Sequence, residues 1–147
     1  MTWTIREARV TDAAEWLRMR YALVPADDHE HEIAEYFEGR YPTPLMTFVA
    51  DRGDGKLAGF VEVGTRSYAE GCESSPVGYL EMWFVDEDLR RAGVGAALVR
   101  AAEAWARARG CTEMASDTQL GNDVSCEAHR ALGYEEVERI VCFRRTF

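Results

Sequence analysis

The segment Val77–Val85 is apolar throughout except at Gly78 and Glu81, and it leads through Asp86-Glu87-Asp88-Leu89 into Arg90-Arg91-Ala92-Gly93-Val94-Gly95-Ala96. An apolar run of this kind suits a strand in the middle of a sheet, covered on both faces. The glycines then open a helix predicted over 93–109, with Val94, Leu98, Ala101 and Trp105 along one stripe. Gly110 ends it. A central strand that feeds a helix through a short loop restricts the chain to layered α/β architectures.

The flanking pattern fits that restriction. Trp3 to Arg9 alternates like a first strand, and Thr11 or Asp12 is placed to cap a helix running to about Leu23, where Pro25 stops it. A second, shorter helix is predicted over 30–39, after the acidic loop Asp27-Asp28-His29-Glu30. Leu45–Asp51 and Lys56–Arg66 read as strands joined by the hairpin turn Arg52-Gly53-Asp54-Gly55. After a polar loop from Ser67 to Pro76 and the central strand and helix, a short strand over 112–116 and a helix over 123–132 follow. Tyr134 to Phe147 is expected to supply one or two closing strands. No repeat, low-complexity stretch or linker divides the chain, so residues 1–147 are expected to form a single domain.

The loop from Arg90 to Ala96 carries a chemical implication. Glycine lets a backbone approach a ligand with no Cβ in the way. First-turn N–H groups lack intrahelical partners, and the helix dipole adds partial positive charge, so a pyrophosphate is well received there. Arg90 and Arg91 add charge-assisted donors. The same residues also read as a loop with two solvated arginines. The segment is neither the G-x-G-x-x-G of a dinucleotide fold nor a P-loop, which needs Lys-Ser/Thr.

With its strand before and helix after, this segment resembles the acetyl-CoA pyrophosphate signature of the GNAT family of N-acetyltransferases. Asn122, followed by Ala128-His129-Arg130-Ala131-Leu132-Gly133-Tyr134, resembles the second landmark of that family, where an Asn contacts the cofactor and the next helix ends in a Leu-Gly-aromatic turn. The resemblance implies a mixed central sheet of about six or seven strands flanked by about four helices. It implies acetyl-CoA as the acetyl donor, held by backbone at Trp83, Phe84 and Val85, by Arg90, Arg91, Ala92, Gly93, Val94, Gly95 and Ala96, and by Asn122, with no metal.

Ser75–Glu81, Cys111–Asp117 and His129–Arg139, with Trp16–Arg20 near the start, resemble the aminoglycoside 6'-N-acetyltransferases in particular. By that resemblance Val24, Tyr68, Glu81, Asp117 and Glu138 line an aminoglycoside site, with Glu138 reaching across a homodimer interface. The family tends to carry Trp where this chain has Val24, which bears on drug preference. An aminoglycoside carries several ammonium groups, so carboxylates suit its pocket. A lone carboxylate on an apolar strand, as at Glu81, is costly unless it is paired or reached by ligand or water. Glu81 and Asp117 also admit a structural reading in which they pair with arginines or cap helices.

The resemblance implies direct attack of a neutral amine on the thioester, with Asp117 or Glu81 as base or orienter. Many family members have Tyr four residues before the Gly of the Leu-Gly-aromatic turn. That position is His129 here, a candidate general acid for the leaving thiolate or simply a hydrogen-bonding helix residue.

Charge and cysteine usage bound the alternatives. A formal net charge of -9 argues against nucleic acid as a partner and permits a cationic one. Cys72, Cys111, Cys126 and Cys142 are widely spaced and form no metal-binding pair, so free thiols are expected. His29 and His31 beside Glu30 and Glu32 read as a solvated loop rather than a metal site. No run is apolar enough to span a membrane, and the N-terminal residues do not read as a signal peptide, which gives the expectation of a cytoplasmic protein. Two other functions fit the same residues: acetylation of a peptide N-terminus, lysine or small metabolite amine, and a non-catalytic acyl-CoA-binding module.

Overall fold

The computed structural model describes residues 2–25, 28–40 and 44–147. Among them, five strands form one sheet in chain order: β1 (Thr4–Glu7), β2 (Met46–Gly53), β3 (Lys56–Arg66), β4 (Val77–Val85) and β5 (Met114–Ser116). The first four pair antiparallel and β5 joins β4 in parallel. Four helices accompany them: α1 (Ala13–Leu23), α2 (His29–Phe37), α3 (Val94–Ala108) and α4 (Asp123–Ala131).

Both faces of the sheet are covered, which is why β3 is buried from Leu57 to Gly64 and reads without alternation. On one face α3 packs Val94, Leu98, Val99 and Ala102 against Ala50, Val61, Val63 and Leu80. On the other, Trp16 and Met19 of α1 and Ile33 of α2 pack against Val49, Leu57 and Phe60. The face of α3 is turned slightly from the expected stripe: Ala102 is buried and Ala101 is partly covered.

A polar network holds α1 and α2 to the sheet. Arg20 donates to Glu62 from Nε at 2.7 Å and from Nη2 at 2.8 Å, and Trp16 Nε1 donates to the same carboxylate at 3.0 Å. Arg20 Nη1 meets His29 Nδ1 at 3.1 Å and Glu32 at 2.6 Å. The Nε2 of His29 lies 2.6 Å from the Val24 carbonyl, so Nε2 carries the hydrogen and Nδ1 accepts from Arg20. His29 is therefore fully buried at the start of α2, not in a solvated loop. Asp27 of that expected loop lies outside the described residues. Burial pushes the Glu62 carboxyl up, and the Arg20 fork opposes it.

Among the described residues the sheet has five strands rather than six or seven, because 134–147 joins no ladder. Tyr134 is anchored, its hydroxyl donating to Glu103 at 2.7 Å, and Val137 lies against Gly71. Beyond that the segment is exposed, with Phe143 and Phe147 in contact with solvent over essentially their whole surface. A strand forms only where a ladder partner is present, and the free edge of β5 is not matched by this segment of its own chain.

Candidate active site

The site is built by a bulge. In the β3–β4 ladder Val63 pairs with Leu80 and Glu62 with Met82, so Glu81 is the extra residue with no opposite number. Such a bulge bends the strand and re-aims its side chains. The pairing of β4 with β5 stops at Leu80–Ser116, so the two strands part where Glu81 and Asp117 stand. From Met82 to Val85 the edge of β4 that would face β5 is unpaired, which leaves backbone N–H and C=O groups directed into the fork.

Beyond the fork β4 leads through the Arg90–Gly93 loop into α3. Gly93 has φ +87° and is the N-cap of α3, with no side-chain cap. The first α3 backbone bond runs from Ala97 to Gly93, leaving the N–H groups of Val94, Gly95 and Ala96 to a ligand. This fits an anion such as a pyrophosphate. The two glycines serve different ends. A Cβ on Gly93 would meet only Trp3, at 3.9 Å, so left-handed backbone is what requires glycine there. A Cβ on Gly95 would lie 3.1 Å from the Trp83 ring, so Gly95 is small for a packing reason. Arg90 donates to the Val85 carbonyl at 3.1 Å and both Arg90 and Arg91 are exposed. Phe84 lies under Arg90, 5.9 Å from its guanidinium carbon. Asn122 caps α4, its Oδ1 accepting from Ser125 N–H at 3.1 Å; only its amide nitrogen is then left to donate outward.

Where the two strands part, the structural reading of Glu81 holds in part. Arg66, at the end of β3, donates to Glu81 from Nη2 at 2.8 Å and Nε at 3.2 Å. Its guanidinium carbon lies 3.5 Å from the centroid of Tyr79. Tyr79 in turn donates its hydroxyl to Asp117 at 2.6 Å. Burial and that donated bond push the Tyr79 hydroxyl well above its usual value, so it stays a donor. Glu81 and Asp117 thus belong to one cluster, linked through Arg66 and Tyr79.

His129 stands on the other side of Asp117's neighbour. Its Nδ1 lies 2.7 Å from the Ser125 carbonyl and its Nε2 lies 2.8 Å from Ser116 Oγ. A carbonyl only accepts, so Nδ1 carries a hydrogen, and in the neutral ring Nε2 accepts from Ser116. The ring packs between Trp83 and Tyr134, and Trp83 Nε1 is buried with no partner among the described residues.

Other expected site residues are more peripheral. Val24 closes α1 and is over a third exposed; Tyr68 is exposed in the loop 67–76. That loop is pinned by Glu113, which accepts from the Glu73 and Ser74 N–H groups at 2.9 and 2.8 Å and from the Ser74 hydroxyl. These bonds hold the Glu113 carboxyl below the usual carboxylate range. Glu138 is exposed in the C-terminal segment, next to Val137, which touches that same loop. No contact joins Glu138 to Glu81 or Asp117 among the described residues.

Arg66, Tyr79, Ser116 and Ser125 escaped the sequence reading. Tyr79 was in reach, since it lies two residues from Glu81 along the strand. Ser125 was too, four residues before His129 on one helix. Arg66 becomes a neighbour of Glu81 only through strand register, and Ser116 of His129 only through the packing of α4, neither of which the sequence displays.

The chain has matches among known proteins. The profile of the acetyltransferase (GNAT) family matches residues 10–134. An aminoglycoside N(6')-acetyltransferase type 1 from Klebsiella aerogenes is 49% identical over 144 residues, covering 96% of this chain and 95% of the relative. One from Stenotrophomonas maltophilia is 44% identical, covering 96% and 92%. Among solved structures, AAC(6')-Iy in complex with a bisubstrate analog, CoA-S-monomethyl-acetylneamine, superposes with a TM-score of 0.89 at 35% identity over the full length of both chains. AAC(6')-Ih from Acinetobacter baumannii gives 0.90 at 31% identity, covering 99% of each chain.

Proposed function

This chain belongs to the acetyltransferase (GNAT) family, and on that premise we propose that it transfers an acetyl group from acetyl-CoA to the 6'-amino group of aminoglycosides. The observation that carries this reading is the strand fork: a phosphate-binding helix start at one side and a carboxylate pair, Glu81 and Asp117, at the other. Relatives that carry the aminoglycoside 6' activity in their names match nearly the whole length of the chain.

The donor is held by the free N–H groups of Val94, Gly95 and Ala96, by Arg90 and Arg91 at the pyrophosphate, by Ala92 and Gly93 in the turn, and by the Asn122 amide. Backbone from Trp83 to Val85, unpaired along the fork, holds the arm that carries the thioester and polarises its carbonyl. The acceptor lies toward Val24, Tyr68, Glu81 and Asp117. Because Arg66 engages Glu81, Asp117 is the better base: Tyr79 fixes one of its oxygens and leaves the other to the ammonium, directly or through a water. His129 reaches outward only through the Ser116 hydroxyl, so the imidazolium form, protonated at Nε2 as well as Nδ1, passes its Nε2 proton to Ser116 Oγ as Ser116 gives its own to the departing thiolate.

Among the described residues no helix is long and apolar enough to cross a membrane. We read the protein as cytoplasmic, with residues 1–147 as one acetyltransferase domain working as a homodimer. The unpaired edge of β5 and the exposed Val137, Ile140, Val141, Phe143 and Phe147 support the dimer, since such a segment needs a cover. Glu138 then completes the acceptor site of the second protomer.

The test is thiol release from acetyl-CoA by the purified protein with kanamycin or tobramycin and, in parallel, a peptide amine. Turnover with the aminoglycosides is expected. Turnover with the peptide alone discards the acceptor, and cofactor binding without any turnover discards catalysis.

A further inference from the structure

Two of the arginine–glutamate forks among the described residues, Arg20–Glu62 and Arg66–Glu81, differ in exposure. Arg20 and Glu62 are both sealed, their side chains 2% and 1% exposed. Arg66 holds Glu81 with the same two-point geometry, but its own side chain is 43% exposed and the carboxylate 15%. The first fork cannot open without stranding a charge in the core. The second opens by swinging one side chain into water, and an ion pair of that kind is easily exchanged.

What the Arg66 guanidinium touches is equally informative. It lies against the Tyr79 ring, bonds Glu81, and stands one hydroxyl away from Asp117, which Tyr79 holds. An aromatic face with a carboxylate on either side is the environment that suits a substrate ammonium. In the free protein that environment already contains a cation.

The geometry points to Arg66 as a displaceable internal counter-ion, occupying the ammonium position of the acceptor site and setting how much charge an amine must bring to take it. This rests on the assignment of Glu81 and Asp117 to the acceptor site. A singly charged amine that displaces Arg66 exchanges one ion pair for another and gives up the fork and the ring stacking. A polycationic aminoglycoside engages Glu81 and Asp117 with separate ammonium groups and has more to offer than Arg66 withdraws. The arginine therefore discriminates by competition, penalising small amines more than polyamines. A monoamine, whose one ammonium must take that position, binds only the fraction of molecules in which Arg66 has swung out, and its apparent affinity falls by that fraction; an aminoglycoside also binds through Asp117 with Arg66 still in place and loses less.

Arg66→Met removes the charge and keeps an aliphatic stem over Tyr79. Steady-state parameters are measured for kanamycin and for 6-amino-6-deoxyglucose, which carries one ammonium on the same kind of ring. Kanamycin binding is also measured by calorimetry without acetyl-CoA. The variant is expected to lower KM for the monoamine by about tenfold, as for an arginine in place about nine-tenths of the time. KM and Kd for kanamycin fall by a smaller factor, and kcat changes less than KM. An unchanged or raised KM for both amines overturns the proposal and makes Arg66 a fixed brace or a direct substrate contact. Arg66→Lys keeps the charge but loses the fork, and a KM between those of the parent and the Met variant is expected. It carries the test alone if melting shows the Met variant unfolded, and a KM equal to or above the parent's then overturns the idea. Glu81→Gln separates this inference from the reading beneath it. If that change leaves kanamycin KM and Kd unaltered, the acceptor site itself is misassigned. If it raises them while Arg66→Met lowers nothing, only the counter-ion role falls.

Discussion

The Ser116 hydroxyl lies 2.8 Å from Nε2 of His129, and the opposite ring nitrogen is tied to the Ser125 carbonyl. On the proposed mechanism imidazole and hydroxyl act as one proton path with its outlet at Ser116. Removal of either group is expected to lower kcat by about a hundredfold, the lower end of the range for loss of one proton-transfer group. Ser116→Ala and His129→Ala should act alike, and the double variant should be little worse than either. Steady-state kinetics on the three proteins check this; additive losses would show two separate roles.

Asp117→Ala is expected to lower turnover at least about tenfold with acetyl-CoA affinity intact. Tyr79→Phe, which removes only the hydrogen bond to Asp117, should cost less. Unchanged turnover in the Asp117 variant would take that residue out of the mechanism.

Gly93→Val forces a branched side chain into left-handed backbone, at a cost of about 1–2 kcal/mol. The helix start shifts to relieve it, and acetyl-CoA Kd rises about tenfold or more. Calorimetry decides the point, and normal binding would sink the phosphate-loop assignment. Gly95→Val should instead lower the melting temperature, because its side chain meets Trp83.

The Arg20–Glu62 fork is a matter of stability. Glu62→Ala leaves the buried Arg20 with Glu32 and His29 but without its main partner. A loss of about 3–5 kcal/mol is expected in chemical denaturation. Replacing both residues with apolar ones of similar volume should recover much of it.

Asp12 supplies the pH dependence. Arg6 donates to both its oxygens, at 2.7 and 2.9 Å, and the Arg9 N–H adds a third bond. The Arg6 hydrogen bonds, above all, hold the Asp12 carboxyl below the usual carboxylate range. A carboxyl depressed in the folded state stabilises it fully above about pH 4, the unfolded value, and less as pH falls through the folded one. The melting-temperature advantage of the parent over Asp12→Asn should be constant near neutrality and shrink below about pH 4. A constant gap down to pH 2 would contradict the shift.

The features that the sequence alone determined are those written into local pattern. β4 begins and ends where the apolar run Val77–Val85 does, and α3 starts at the glycine that its left-handed N-cap needs. Both follow from backbone and side-chain preferences acting within a few residues. Asn122 and the Leu-Gly-Tyr turn likewise bracket α4 as expected. The segment 134–147 shows the limit of pattern, because its β-branched and aromatic residues favour a strand but do not choose the edge it joins. Tertiary structure alone decided the chemistry of the fork. Glu81 has no opposite residue only because Glu62 and Val63 pair across it, and Arg66 reaches it only through that register. Ser116 meets His129 only because α4 packs back over the end of β5. Such contacts link residues 13 to 38 positions apart, and their energies depend on distances that only the folded chain sets.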